Sequence, residues 1–142
     1  MADTSLGFRY RGRRSGGNPT VQKLYCKDTE TLSRGDMANL ESGEIDLGAT
    51  GDTGFLGMIQ ETKAGTDSTT QFEVIVDEDA IYGVYDPNAR KKGATLDLSG
   101  TTGAQTIATS SNKEFVVFAD SGADEETLVC FNVGKHLMSK AQ

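Results

Sequence analysis

From Val21 onward the chain alternates between short apolar runs and turn signals. In TQFEVIV, Phe72, Val74 and Val76 share one face and Gln71 and Glu73 the other, with Ile75 breaking the polar side. A period of two marks extended backbone, because successive side chains of a strand point to opposite faces. The pattern predicts strands at 21–26, 37–40, 44–47, 54–61, 70–76, 80–85, 94–98, 105–108, 114–119 and 127–133. Between them stand ESG, GATGDT, KAGTDS, DPNARKKG, SGTTG, SSNK and SGADEE, rich in residues that accept positive φ or bond nearby backbone. Short strands at this spacing predict an all-β fold, a small antiparallel β-barrel or sandwich. An α+β alternative needs a helix of at least ~10 residues, and only the C-terminal GKHLMSKAQ offers even a short one.

Phe72, Val74 and Val76 are expected in the core. In EFVVFAD both faces are apolar, Phe115 and Val117 on one and Val116 and Phe118 on the other. That strand either lies in the middle of the fold or presents its second face to another protein.

The first twenty residues, MADTSLGFRYRGRRSGGNPT, break the rhythm. Glycines, charges and a proline leave nothing that packs a core by itself, so residues 1–20 are expected to form an extended arm beside a single β-barrel-like domain of residues 21–142. Phe8 and Tyr10 alternate with Arg9 and Arg11, giving the arm one apolar and one basic side. Charge sharpens the division. Residues 1–27 carry six basic side chains against Asp3, a net of +5, whereas residues 28–142 carry 8 basic and 20 acidic ones, a net of −12. An arm of this composition either stays a disordered, solvating tail or orders on an acidic partner surface. Nucleic acid is disfavoured, because a body of −12 repels a polyanion and the strands show no aromatic-basic platform.

At 142 residues the chain is long enough for one core that needs neither metal nor disulfide. No secretory signal and no apolar run of ~20 residues is present, so a soluble protein made in a cytosol is expected, without a membrane partner. Cys26 and Cys130 lie in strand patterns and are expected to be buried thiols.

Catalytic chemistry is poorly supplied, and no enzyme or cofactor is expected. His136 is the only histidine and reads as a surface or partly packed residue. No Ser or Cys stands in a nucleophile setting such as Gly-x-Ser-x-Gly. GATGDTGFLG lacks the Lys-Ser/Thr of a phosphate loop and reads as a flexible hairpin loop. Asp77, Glu78 and Asp79, and again Asp124, Glu125 and Glu126, lack calcium-loop spacing and read as solvated acidic edges. Arg34-Gly35-Asp36 spells an integrin tripeptide, but in this context it reads as the turn that starts MANL.

The order of turns and strands from Gly35-Asp36 through Ser42-Gly43, Gly51-Asp52-Thr53, Leu56-Gly57 and Ala64-Gly65-Thr66 resembles the small capsid decoration, or cement, proteins of tailed bacteriophages. The likeness spans about residues 18 to 133. It implies a β-barrel-like protein on the outer surface of the expanded head, made in the host cytoplasm, which ties neighbouring major capsid proteins together. Its partners would be the major capsid protein and neighbouring copies, as a dimer or trimer. The arm here is basic and Gly-rich, unlike the Pro-rich arm of lambda-type members. On this reading Phe8, Arg9, Tyr10, Arg11, Arg13 and Arg14 are the candidate capsid contacts. The alternatives are another virion part, such as a tail-tube or head-completion subunit, and a non-enzymatic ligand-binding or adhesion module using Arg34 and Asp36.

Overall fold

A computed structural model describes residues 7–27, 31–64, 70–109 and 111–137. Its elements are all strands: β1 (Arg9–Arg13), β2 (Val21–Tyr25), β3 (Thr31–Leu32), β4 (Met37–Glu41), β5 (Glu44–Leu47), β6 (Phe55–Met58), β7 (Lys63–Ala64), β8 (Gln71–Ile75), β9 (Ala80–Asp86), β10 (Thr95–Ser99), β11 (Thr106–Thr109), β12 (Phe115–Val117) and β13 (Glu125–Phe131). The predicted all-β antiparallel class is what forms, and each of the ten expected strands has a counterpart.

Two layers make the fold. One is a six-stranded antiparallel sheet in the order β1-β9-β13-β12-β10-β11. The other joins the sheet β5-β4-β6 to the pair β2-β8 through single bridges, Ile59 to Val74 and Cys26 to Ile45. The result is a ring of five strands linked in part by bridges rather than ladders, so no sheet closes into a barrel and the architecture is sandwich-like. The pair β3-β7 adds Leu32 to the interior of the ring.

Alternation explains why ring strands are apolar on both sides. Met37, Phe55, Met58 and Ile75 face the six-stranded sheet and join Tyr82, Leu98, Phe115, Val129 and Phe131 in the main core. Their neighbours Ala38, Leu56, Ile59 and Val74 point the other way, into a second core with Cys26, Ile45 and Phe72. Ile75, which breaks the polar face of its strand in sequence, therefore has its own core to fill. Phe72 and Val74 are fully buried as expected, while Val76 packs at the margin.

Backbone geometry fixes two glycines. Gly57 has a φ of 150°, and a Cβ there would collide with the Ile75 carbonyl and lie 2.6 Å from the Tyr82 hydroxyl. Gly35 has a φ of 95°, and its Cβ would sit 2.9 Å from the Phe8 carbonyl. Only glycine occupies either site without strain.

The N-terminal segment differs from expectation. Residues 9–13 are extended, but as an edge strand of the domain's own sheet, pairing Arg9 with Gly83, Tyr10 with Tyr82 and Arg13 with Ala80. Phe8 is 3% exposed, with its ring 5.3 Å from that of Phe115. A projecting arm would leave this ring in water, and burial of apolar surface at about 25 cal/mol per Å2 decides for docking.

Candidate functional site

The basic segment is where the sequence places a site, and the structure shows what it meets. On the outer face of the sheet, Arg11 donates from Nε and a terminal nitrogen to both oxygens of Glu126, at 2.9 and 2.6 Å. Arg9 reaches the same carboxylate at 3.6 Å. Glu126 lies across Gly83, where any larger side chain would strike it. Arg13 donates to Asp79 at 3.0 Å and stands 3.6 Å from Asp77. Beyond the strand, the Ser15 hydroxyl and N–H both donate to Asp79, and the Thr20 N–H donates to Asp77 at 2.7 Å.

These contacts correct the solvated-edge reading for Asp77 and Asp79, while Glu78 is exposed as expected. Asp77 is buried and Asp79 partly so, and together they pin the segment that leads from β1 into β2. Partial burial pushes the Asp79 carboxyl up, but the hydrogen bonds from Ser15 and Arg13 outweigh it and hold the group at about 2. The acidic surface that orders the basic segment belongs to the same chain. Tyr10 packs against the main core, where burial and the nearby Asp77 raise its hydroxyl. Of the six candidate residues, Phe8, Arg9, Tyr10, Arg11 and Arg13 are thus engaged internally. Arg14 is exposed and lines a shallow cleft with Glu78, Val133 and His136.

Arg34-Gly35-Asp36 is likewise internal. Asp36 is fully buried and accepts from Ser33 N–H at 2.8 Å, the Thr102 hydroxyl at 2.6 Å and Gly103 N–H at 2.8 Å. Gly35 donates to Ile59 O and accepts from Phe8 N–H. The carboxylate an adhesion motif would display is a knot tying the first ring turn to the 100–104 loop. Beside it the buried Gln105 accepts from Met37 N–H and donates to Gly48 O, both at 2.7 Å. Nothing in the local sequence around Gln105 signals this clasp, because both partners are more than fifty residues away.

Other buried carboxylates are also consumed by backbone. Asp97 accepts from the N–H groups of Ser111, Asn112 and Lys113 at 3.0, 2.9 and 2.7 Å. Burial raises its pKa, and these bonds more than reverse that, leaving the group below its ordinary value. Glu114 accepts from Leu98 N–H, Gly51 N–H and the Thr50 hydroxyl, which ties the GATGDT loop down rather than leaving it free. Asp86 is paired with Arg90.

His136 is buried, not superficial. Its Nε2 lies 2.5 Å from Leu56 O and its ring meets Phe131 edge-on at 5.3 Å. Burial lowers its pKa. Cys26 and Cys130 are buried thiols outside any disulfide, as expected, and burial raises the Cys130 thiol. Among the described residues no group of three or more His, Cys, Asp or Glu side chains is arranged to hold a metal. The second apolar face of 115–118 is present: Val116 is half-buried and Phe118 36% exposed, on the side of the sheet away from the core.

Compared with known proteins, the chain matches no family model and no curated sequence.

Proposed function

We propose that the chain is a structural, non-catalytic protein that decorates the outer surface of an expanded bacteriophage head and ties neighbouring major capsid proteins together against internal DNA pressure. The observation that carries this reading is where the resembling residues fall. Gly35-Asp36 forms the buried turn, Ser42-Gly43 makes the hairpin between β4 and β5, and Leu56-Gly57 sits where β6 leaves no room for a side chain against the Ile75 carbonyl. Asp52 closes its own turn by accepting from Ala49 N–H at 2.8 Å. The likeness therefore rests on residues the ring needs. The last landmark, Gly65-Thr66, lies outside the described residues.

The polar chemistry supports a scaffold in the same way. Asp36, Asp97, Glu114 and Gln105 each hold backbone groups sixteen or more residues away. Binding that selects the expanded lattice stabilises that lattice by mass action. The partners on this reading are the major capsid protein and neighbouring copies of the chain.

Mixing the purified protein with expanded and unexpanded heads that lack it, followed by sedimentation, tests the proposal. Binding to expanded heads alone is expected. Absence of binding to either, or self-assembly of the free protein into tubes or rings, overturns it; tubes or rings would point to a tail-tube or head-completion part.

A further inference from the structure

The two edges of the six-stranded sheet are built differently. β1 carries Arg9, Arg11 and Arg13 and a register shift between Tyr10 and Gly12, features that discourage addition of another strand. β11 carries neither. Residues 99–112, SGTTGAQTIATSSN, contain no charged side chain and no proline, in a chain of net charge −7.

The bonding of β10 shows which backbone groups of β11 are free. Leu98 N–H donates to Glu114 at 2.9 Å, and Ala94 O accepts from Val117 N–H at 2.8 Å, so residues 94, 96 and 98 turn toward β12. Asp97 and Ser99 turn the other way, which makes Asp97–Ala108 and Ser99–Thr106 the bonded pairs of the β10-β11 ladder. Ile107 and Thr109, opposite Leu98 and Leu96, therefore aim N–H and C=O out of the sheet. The next residue on that side, Gln105, already accepts from Gly7 N–H at 2.7 Å. Outward backbone here is used once by an adjoining segment, and among the described residues no backbone group bonds to it at 107 or 109. A groove of about 440 Å3 runs along this edge, walled opposite by Tyr85, Pro87 and Asn88 and by the mutually neutralising Asp86 and Arg90.

We propose that the free edge of β11 is a strand-addition site that takes an extended, uncharged segment of the major capsid protein. The inference rests on the decoration reading. Backbone hydrogen bonds from Ile107 and Thr109 supply the attachment, and the neutral groove selects a strand without net charge. A second copy of the chain fits less well, since its own β11 stands beside the same wall and would bring wall against wall.

Thr109→Pro removes an outward N–H and leaves the β10 ladder intact, whereas Thr109→Ala removes only the side chain. Co-sedimentation with expanded heads should show Thr109→Pro binding about tenfold more weakly or worse, the effect of one lost hydrogen bond, with Thr109→Ala and the parent alike. Equal binding by the proline variant overturns the inference, whereas failure of the parent to bind overturns the decoration reading instead. Should the proline variant not fold, hydrogen exchange of the parent decides: slower exchange across 99–112 on head binding supports the site, and unchanged exchange defeats it. Protection that is present in the free protein and lost on removing residues 1–6 would assign the edge to the chain's own terminus and overturn the proposal.

Discussion

Replacing Phe8 by Ala separates a projecting arm from an edge strand. The ring is 3% exposed, packs 5.3 Å from Phe115 and meets Tyr82 edge-on at 6.4 Å. A buried Phe truncated to Ala costs about 3 to 4 kcal/mol, transfer and cavity terms together. For a chain of 142 residues the unfolding entropy at the midpoint is about 0.3 kcal/mol per kelvin, so each kcal/mol moves Tm by about 3 °C. Phe8→Ala should then lower Tm by about 10 °C in a circular-dichroism melt and shift the urea midpoint without changing the slope.

Arg11→Ala is the control. Its bidentate pair with Glu126 is solvent-facing, and such pairs contribute less than about 1 kcal/mol, which limits the loss to about 3 °C. Removal of residues 1–18 should destabilise at least as much as Phe8→Ala, since it strips β1 from β9. A Phe8→Ala midpoint within about 2 °C of the parent would refute the reasoning, because no cavity of that size in the main core is silent.

Gly35→Ala should cost about 2 kcal/mol or more in denaturant unfolding, from the strain of a φ of 95° and the contact with the Phe8 carbonyl. Gln105→Leu strands Met37 N–H and Gly48 O in the interior and should cost about 2 to 4 kcal/mol by the same measurement. Asp79 and Asp97 both have pKa values depressed in the folded state. Their stabilisation is therefore present above the unfolded carboxylate value of about 3.9 and is lost as pH falls through the folded values. Melts between pH 5 and about 2 should show a steep loss that Asp79→Asn makes shallower; an unchanged slope would contradict the assigned bonds.

Most of the fold was legible because its strands alternate and its turns carry glycine. What escaped the pattern was decided at long range. Phe-Arg-Tyr-Arg at 8–11 reads correctly as extended with one apolar and one basic side, yet which surface receives that side is set by Tyr82, Phe115 and Glu126, far along the chain. β3 and β7 are two residues each, too short for any period to show. Asp77 and Asp79 look like a solvated run until β1 is laid beside them. His136 follows Gly134 and Lys135 in a polar stretch, and the bridge to Phe55, the bond to Leu56 O and the Phe131 ring hold it inside. Asp36 was placed in a turn by its glycine, but its three donors come from two separate loops.

Charge therefore has a different meaning once the chain is folded. The excess of +5 at the N-terminus is largely answered by Glu126, Asp77 and Asp79 of the same molecule, so it cannot also be the long-range attraction that brings the protein to a partner. A net charge of −7 keeps free copies apart, and an attachment made through the neutral stretch 99–112 does not oppose that repulsion with charges of its own. Such an attachment should respond weakly to salt. Raising ionic strength from about 0.1 to 0.5 M shortens the screening length from about 10 to roughly 4 Å and removes most of any attraction between exposed charges. Head binding through the backbone of Ile107 and Thr109 should weaken by no more than about twofold over that range, because hydrogen bonds in a walled groove lie inside the screening length. A loss of tenfold or more would place the contact on charged surface instead, with the exposed Arg14 the first residue to replace.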